Sequence, residues 1–213
     1  MNNLDSEQKK KAILGDLQSV NINAQYEYEK LSSTKEYFVQ PTGDLCQAYC
    51  DKLQLVAGKP EIVDSVDSAF TRIKEIIGND ILLCNNPDLL KILEEKGIAY
   101  NVDPEYARVA KYSLTTCEAL VARTGSVFVS SAQIEGRRLI SAAETHIVLA
   151  YDTQVFPDFP EAMDVIEKKY GNTFPSQVTA ITGPSRTSDI EKTLVLGAHG
   201  PKNLYVILVK TQK

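Results

Sequence analysis

Short, continuous apolar segments alternate with segments of helical periodicity along most of this chain. The apolar runs are not broken by alternating polar residues, which is typical of strands buried on both faces of a sheet. Strands are predicted at 61–64, 81–84, 98–102, 126–131, 146–151, 178–181 and 204–209, and several of them are such continuous apolar runs. With helices between them, these strands predict an α/β fold in which a mostly parallel sheet is flanked by helices.

Helical periodicity is clearest over residues 65–77, where apolar side chains recur on one face and Gly78 follows as a stop signal. Asn86, Pro87 and Asp88 predict the start of another helix. A side-chain cap, a first-turn proline and an acid near the positive helix end all favour initiation there. Further helices are predicted at 4–20, 45–56, 113–122, 160–170 and 188–196.

The chain divides into an N-terminal arm and one larger domain in this interpretation. Residues 1–43 are polar apart from one amphipathic helix, and the apolar pattern becomes regular only from Leu45. We therefore predict an N-terminal helical arm at 1–43 and a single domain at 44–213. With 43% hydrophobic and 24% charged residues, the chain has the composition of a globular protein that buries a core.

Charge and hydropathy limit the classes of partner. The net charge of −5 disfavours binding along a phosphate backbone, so no nucleic-acid partner is expected. The N-terminal residues are polar and lack the apolar segment of a secretory signal. The longest strongly apolar run, at 204–209, is far too short to cross a bilayer. We therefore expect a cytoplasmic protein without a membrane span.

The four cysteines are Cys46, Cys50, Cys84 and Cys117. Cys46 and Cys50 are four residues apart on a predicted helix, which would allow a metal pair, but small core residues or free thiols are the favoured interpretation. The chain contains neither a Cys-x-x-Cys motif nor the spaced quartet of an iron–sulfur site. The sequence therefore predicts no metal and no bound cofactor in this chain.

The first candidate motif is Thr-Gly-Pro-Ser-Arg-Thr-Ser-Asp at 182–189, directly after a predicted strand. Gly183 permits a sharp turn beside a ligand, and Ser185 and Thr187 offer hydroxyl groups. Arg186 offers a planar guanidinium that suits a carboxylate or phosphate. Asp189 either orients Arg186 or simply occupies the acidic first turn of the next helix. We predict an anion-binding loop here, outside the carboxyl end of a strand, where α/β sheets usually bind ligands.

Part of this motif has a simpler explanation. Ser188 and Glu191 have the spacing of a capping box, and starting a helix is their favoured role. The second motif, Gly-Ala-His-Gly-Pro at 197–201, forms a predicted tight turn around His199. His199 is a candidate general acid or base because imidazole titrates near neutrality. A histidine that only hydrogen-bonds its own loop explains the pattern equally well.

Two further sets of residues are candidates for ligand binding. Thr124, Gly125 and Ser126 lie in a predicted helix-to-strand turn, and turn chemistry alone also explains them. Arg138 offers a cation next to a predicted strand, with a solvated loop as the alternative.

The motifs at 181–201 closely resemble the signature of the lactate utilization protein C family, whose domain is called LUD. Flanking features agree in order: Cys-Glu-Ala-Leu-Val-Ala-Arg-Thr-Gly-Ser at 117–126, Arg-Leu-Ile-Ser from 138, Thr-His-Ile-Val-Leu at 145–149 and the strand at 204–209. The chain departs from the family pattern at Arg123, where relatives usually carry an acid, and at 141–145, where they usually carry a proline.

The resemblance implies a fold like that of sugar-phosphate isomerases and CoA transferases, which bind anionic ligands. It also implies a role in the oxidation of lactate to pyruvate, together with an iron–sulfur subunit and an oxidoreductase subunit. The expected function is therefore an accessory subunit that binds a small anionic ligand or the iron–sulfur partner. A stand-alone enzyme acting on a phosphorylated or CoA-linked substrate is the alternative, and a purely structural or regulatory binding protein is a third.

Overall fold

The computed structural model describes residues 6–19, 38–187, 195–197 and 199–211. The chain divides into two compact units, Met1–Phe38 and Val39–Lys213. In the first unit, helix α1 covers Ser6–Ser19, in agreement with the helix predicted at 4–20. The boundary predicted between 43 and 44 stays a prediction about domain organisation.

The second unit contains the remaining helices and the strands. The helices are α2 (Leu45–Leu55), α3 (Val66–Ile77), α4 (Pro87–Glu95), α5 (Gly136–Ala142) and α6 (Phe159–Tyr170). The strands are β1 (Lys59–Val63), β2 (Leu82–Leu83), β3 (Tyr100–Asn101), β4 (Tyr112–Thr115), β5 (Ala119–Val121), β6 (Ser126–Ser130), β7 (Thr145–Tyr151), β8 (Val155–Phe156), β9 (Val178–Ile181), β10 (Arg186–Thr187), β11 (Val195–Leu196) and β12 (Asn203–Val209). Short 3-10 helices cover Pro104–Arg108, Asp152–Gln154 and Gly171–Thr173.

A six-stranded parallel sheet forms the centre of the second unit, in the order β1-β12-β7-β4-β2-β3. Its two longest strands, β7 and β12, lie side by side, so that His146 pairs with Leu204 and Val148 with Val206. Both faces are buried, as the continuous apolar runs require. The predicted α/β fold, with a mostly parallel sheet flanked by helices, is confirmed.

A second sheet, of order β8-β5-β6-β9, was not foreseen. Strands β5, β6 and β9 pair antiparallel, while β8 joins β5 in parallel. The helix predicted at 113–122 is wrong, because this segment forms β4 and β5. Residues 113–115 and 119–122 are buried in succession, with no exposed helical face, and the segment hydrogen-bonds to β7, β2 and β6 instead. Pairing with distant strands therefore decided its conformation.

The helix predicted at 188–196 is wrong at its C-terminal end. Val195 and Leu196 form a strand that pairs antiparallel with Thr187 and Arg186. Residues 188–194, including the predicted capping pair Ser188 and Glu191, lie outside the described part of the chain.

The helix start predicted at Asn86–Asp88 and the stop predicted at Gly78 are confirmed, and a cap that was not predicted begins α3. Ser65 precedes α3, and its Oγ accepts a hydrogen bond from the backbone N–H of Ser68 at 3.1 Å. The Asn86 side chain caps α4, and Pro87 occupies the first turn. Such caps depend only on neighbouring residues, so the sequence predicts them well.

The core is built in layers. One face of the parallel sheet packs against α3 and α4, and the other face packs against α2 and the second sheet. Helix α6 covers the far side of the second sheet, where Phe128 contacts Ala162 and Ile166. The space between the two sheets positions the candidate site. Within the described ranges, no helix combines the length and apolarity needed to cross a membrane.

Candidate functional site

The two motifs meet at one cavity of about 290 Å³. Residues 182–185 and 199–201 form part of its wall, so that Gly183, Ser185 and His199, all predicted as site residues, come together. Strand β9, the end of α5 and the first residues of β7 and β12 complete the wall.

Backbone hydrogen bonds hold the two motifs together. The Ser185 N–H donates to the Pro201 carbonyl at 2.8 Å, and the Gly197 N–H donates to the Ser185 carbonyl at 2.9 Å. His199 is exposed, so its imidazole lies where the cavity meets solvent. The arrangement places the His199 imidazole and several hydroxyl groups around a small opening.

The location of the cavity differs from the prediction. Thr182 does follow the carboxyl end of β9, but β9 belongs to the second, mostly antiparallel sheet. In the parallel sheet, the lining residues His146 and Leu204 are near the amino-terminal ends of β7 and β12. The rule about carboxyl ends applies to parallel strands, and the sequence did not reveal that β9 lies outside the parallel sheet.

His146 is a functional candidate that the sequence analysis missed. Its side chain is fully buried, it lines the cavity, and its Nε2 forms a hydrogen bond with Thr115 Oγ1 at 2.8 Å. Its Nδ1 has no hydrogen-bond partner among the described residues. Burial lowers the pKa of His146 to about 4, so the ring is neutral near pH 7. A histidine within an otherwise apolar predicted strand is the signal that could have identified it.

Gly183 combines its position in the cavity wall with a packing role. It has a φ of +83°, and a Cβ at this position would lie 2.3 Å from the carbonyl O of Val56 at the end of α2. Glycine is therefore required for both its backbone conformation and its close contact. The sequence motif predicted a turn next to a ligand. The structure shows in addition that the end of α2 packs against this turn.

The turn at 122–126 is a β-hairpin between β5 and β6, so the helix-to-strand turn predicted there is wrong. Gly125 has a φ of +66°, and a Cβ there would lie 2.4 Å from the backbone N of Leu53. Thr124 and Ser126 share a hydrogen bond of 2.7 Å, and Ser126 Oγ contacts Thr182 Oγ1 at 2.7 Å. These two hydroxyls therefore support the cavity wall from behind.

Arg186, Thr187 and Arg138 are not among the described residues that line the cavity. Arg186 is exposed in β10, and Thr187 pairs with Val195 through the backbone. Arg138 is exposed on α5, with Nη1 3.5 Å from a carboxylate oxygen of Glu105. Asp189 lies outside the described residues. The described part of the lining contains no Lys, Arg, Asp or Glu side chain.

Arg123, which stands where the family pattern has an acid, forms a structural ion pair. Its Nε is 2.7 Å from Oδ1 of the buried Asp158, which also caps α6 by accepting from the Phe159 N–H. Burial alone raises the pKa of Asp158, but the Arg123 guanidinium and the other donors outweigh it, and the net pKa is lowered. The pair joins the hairpin turn to α6.

Glu118 is a second buried carboxylate outside the cavity. It accepts hydrogen bonds from Ser130 Oγ at 2.6 Å, Lys169 Nζ at 2.7 Å and Tyr170 Oη at 2.6 Å. Burial opposes ionisation, yet the bonds from Lys169, Ser130 and Tyr170 together lower the pKa of Glu118. All these donors come from β6 and α6, so this cluster fastens α6 to the second sheet.

Comparisons with known proteins agree with the fold and the motifs. The LUD domain family matches residues 85–209. The chain is 35% identical over 105 residues to lactate utilization protein C of Bacillus subtilis, covering 48% of this chain and 44% of that protein. It is 31% identical over 121 residues to the protein of the same name from Bacillus licheniformis, covering 55% and 50%. The matched segment thus spans about half the length of these curated relatives.

A solved structure shows the same fold. It is a crystal structure of a DUF162 family protein from Deinococcus radiodurans, with a TM-score of 0.58 and 16% identity, covering 79% of this chain and 99% of that one. The family match includes β3 to β12, and it contains every described residue that lines the cavity. The resemblance inferred from the motifs at 181–201 is confirmed, and the chain belongs to the LUD domain family.

Proposed function

We propose that this protein acts in lactate utilization, as a cytoplasmic accessory subunit that binds a small hydroxy acid or a related small anion. The observation that carries the proposal is the single cavity formed where the 182–185 and 199–201 segments meet. Two relatives that match the domain are named lactate utilization protein C, and this supports a role in the same process.

The described groups of the proposed binding site can hold a small polar molecule by hydrogen bonds, and they include no Lys, Arg, Asp or Glu side chain. The hydroxyl groups of Thr182 and Ser185 lie in the cavity wall, and His199 lies beside solvent. A carboxylate at the opening would keep part of its hydration, which reduces the desolvation cost of binding without a neighbouring Lys or Arg. Under this proposal, Arg186 and Arg138 influence the approach of an anion from the surface.

The size of the cavity favours a small ligand over the alternative substrates. About 290 Å³ is at the lower end of the range of roughly 300–1,000 Å³ for ligand pockets. A three-carbon acid is compatible with this space, whereas an acyl-CoA would have to leave most of its length outside. The stand-alone enzyme acting on a CoA-linked substrate is therefore the less supported candidate.

A genetic experiment tests the proposed process. The gene is deleted from its native host, and growth is measured with lactate as the sole carbon source and with a sugar as control. We expect the deletion strain to lose growth on lactate but to keep growth on the sugar. The wild-type chain and Lys91→Ala, a change at an exposed residue of α4, should restore growth on lactate, whereas His199→Ala should restore it poorly. Normal growth of the deletion strain on lactate would contradict the proposal.

A biochemical experiment tests the proposed partners. The tagged chain is isolated from its host under anaerobic conditions, and co-purifying proteins are identified by mass spectrometry. The proposal expects a cysteine-rich iron–sulfur protein and an oxidoreductase subunit in amounts comparable with the tagged chain. Recovery of the chain alone at physiological salt would count against an accessory-subunit role and favour an independent enzyme.

A further inference from the structure

The protein has two histidines, and both line the same cavity. Their surroundings are opposite. His199 is exposed in a loop, whereas His146 is fully buried near the start of β7. A cavity with one histidine at the solvent side and another on the buried side offers polar groups to both ends of a small molecule.

The hydrogen bonding of His146 is incomplete. Its Nε2 is bonded to Thr115 Oγ1 at 2.8 Å, while Nδ1 has no partner among the described residues. Buried side-chain nitrogens nearly always have a partner, so an unpaired nitrogen on a side chain that lines a cavity points to a group that binds there. Thr115 fixes one side of the ring, so that the other side faces a defined position.

The chemistry around His146 favours an uncharged oxygen over a carboxylate. The described lining contains no charged side chain, and burial alone keeps the imidazole neutral near pH 7. A carboxylate held there would lose its hydration without a cation in return, whereas a hydroxyl or keto oxygen needs only one hydrogen bond. Ile140, Ile181 and Leu204 provide apolar contacts in the same wall.

The size of the cavity limits the rest of the ligand. A volume of about 290 Å³ is at the lower end of the range of roughly 300–1,000 Å³ for ligand pockets. Short acids with one polar oxygen next to the carboxylate fit both the volume and the polarity of such a site.

We propose that His146 is a ligand-binding residue whose Nδ1 holds the 2-hydroxyl or 2-keto oxygen of a short 2-hydroxy or 2-keto acid. The carboxylate of the acid then lies toward His199 and the solvent. This inference rests on the proposed function, and it names the atom and the substrate group that recognise each other.

The Thr115 hydrogen bond allows one imidazole to serve both oxidation states. A threonine hydroxyl can donate or accept, so Nε2 can carry the proton or leave it on Nδ1. A keto oxygen only accepts, and it therefore requires the tautomer with Nδ1–H. A hydroxyl can bond to Nδ1 in either tautomer. The site is thus matched to a hydroxy acid and to the keto acid derived from it.

Two substitutions separate the roles of the two ring nitrogens. The amide nitrogen and oxygen of Asn are attached at the same branch point as Nδ1, whereas the Gln amide reaches the position of Nε2. His146→Gln therefore keeps a partner for Thr115 and removes the group that faces the ligand. His146→Asn keeps a polar group for the ligand and loses the bond to Thr115.

The test is isothermal titration of L-lactate and of pyruvate into the purified full-length chain and both variants. Unfolding curves establish that each variant is folded. We expect His146→Gln to lower the affinity for both acids by about tenfold, which is the effect of one lost hydrogen bond. His146→Asn should lower the affinity less. Long-range proton–nitrogen spectra of the imidazole should show the Nδ1–H tautomer of His146 with pyruvate bound.

Equal affinity of the wild-type chain and a folded His146→Gln variant would overturn the assignment. Absence of binding of both acids to the wild-type chain would also overturn it. The growth experiment on lactate tests the proposed function separately. If the chain is required for growth on lactate but binds the acids without His146, the proposed function stands and this inference fails.

Discussion

The burial of His146 makes a quantitative prediction about stability at mildly acidic pH. Its pKa is about 4 in the folded protein and about 6.5 in an unfolded chain. Because the pKa is depressed on folding, the unfolded state binds a proton first as the pH falls. The stabilisation is therefore complete above pH 6.5 and is lost progressively between pH 6.5 and pH 4.

The magnitude follows from the two pKa values. At pH 5 the unfolded chain is almost fully protonated at this residue and the folded protein is not, which lowers the free energy of unfolding by about 2 kcal/mol relative to pH 7. Below pH 4 the full difference is roughly 3 kcal/mol. Both values are a substantial fraction of a typical protein stability of about 5–15 kcal/mol.

Urea unfolding of the wild-type chain and of His146→Gln at pH 7, 6 and 5 measures this effect. The wild-type chain should lose about 2 kcal/mol over this range, while the variant should lose much less. The carboxylates of Asp158 and Glu118 have lowered pKa values in the folded protein, so their contribution is lost mainly below this window. Equal pH dependence in both proteins would refute the reasoning, because another group would then be responsible.

The remaining predictions concern the close contact at Gly125 and the buried carboxylate of Glu118. Gly125→Ala should destabilise the protein by roughly 2–5 kcal/mol, since the new Cβ meets the α2 backbone at Leu53. Gly43→Ala, a control with a φ of +79° and open space around it, should cost only about 1–2 kcal/mol in urea unfolding. Glu118→Gln should cost roughly 1–3 kcal/mol, because an amide cannot accept from all the present donors, and retained stability would refute a structural role for this carboxylate. Lys169→Met should recover part of that loss in the double variant, as the unpaired cation is then removed.

Local sequence determined the starts of α3 and α4 and the strands of the parallel sheet other than β4. Ser65 and Asn86 cap their helices through contacts with residues only two or three positions away, so their effect can be predicted without tertiary information. Continuous apolar runs likewise marked β7 and β12, because both faces of these strands are covered. The motifs at 182–185 and 199–201 were also recognisable, and they converge on one cavity.

Tertiary contacts decided the features that the sequence did not reveal. The segment 113–122 has no helical face to bury, and it became two strands because β7, β2 and β6 supply the hydrogen bonds. Gly125 and Gly183 are required by the close approach of α2, which lies far away in sequence. His146 became a candidate only when β4 brought Thr115 to its Nε2 and left its buried Nδ1 without a partner among the described residues. A single sequence shows which residues are neighbours along the chain. Cavities and unpaired buried atoms depend instead on which distant segments come into contact.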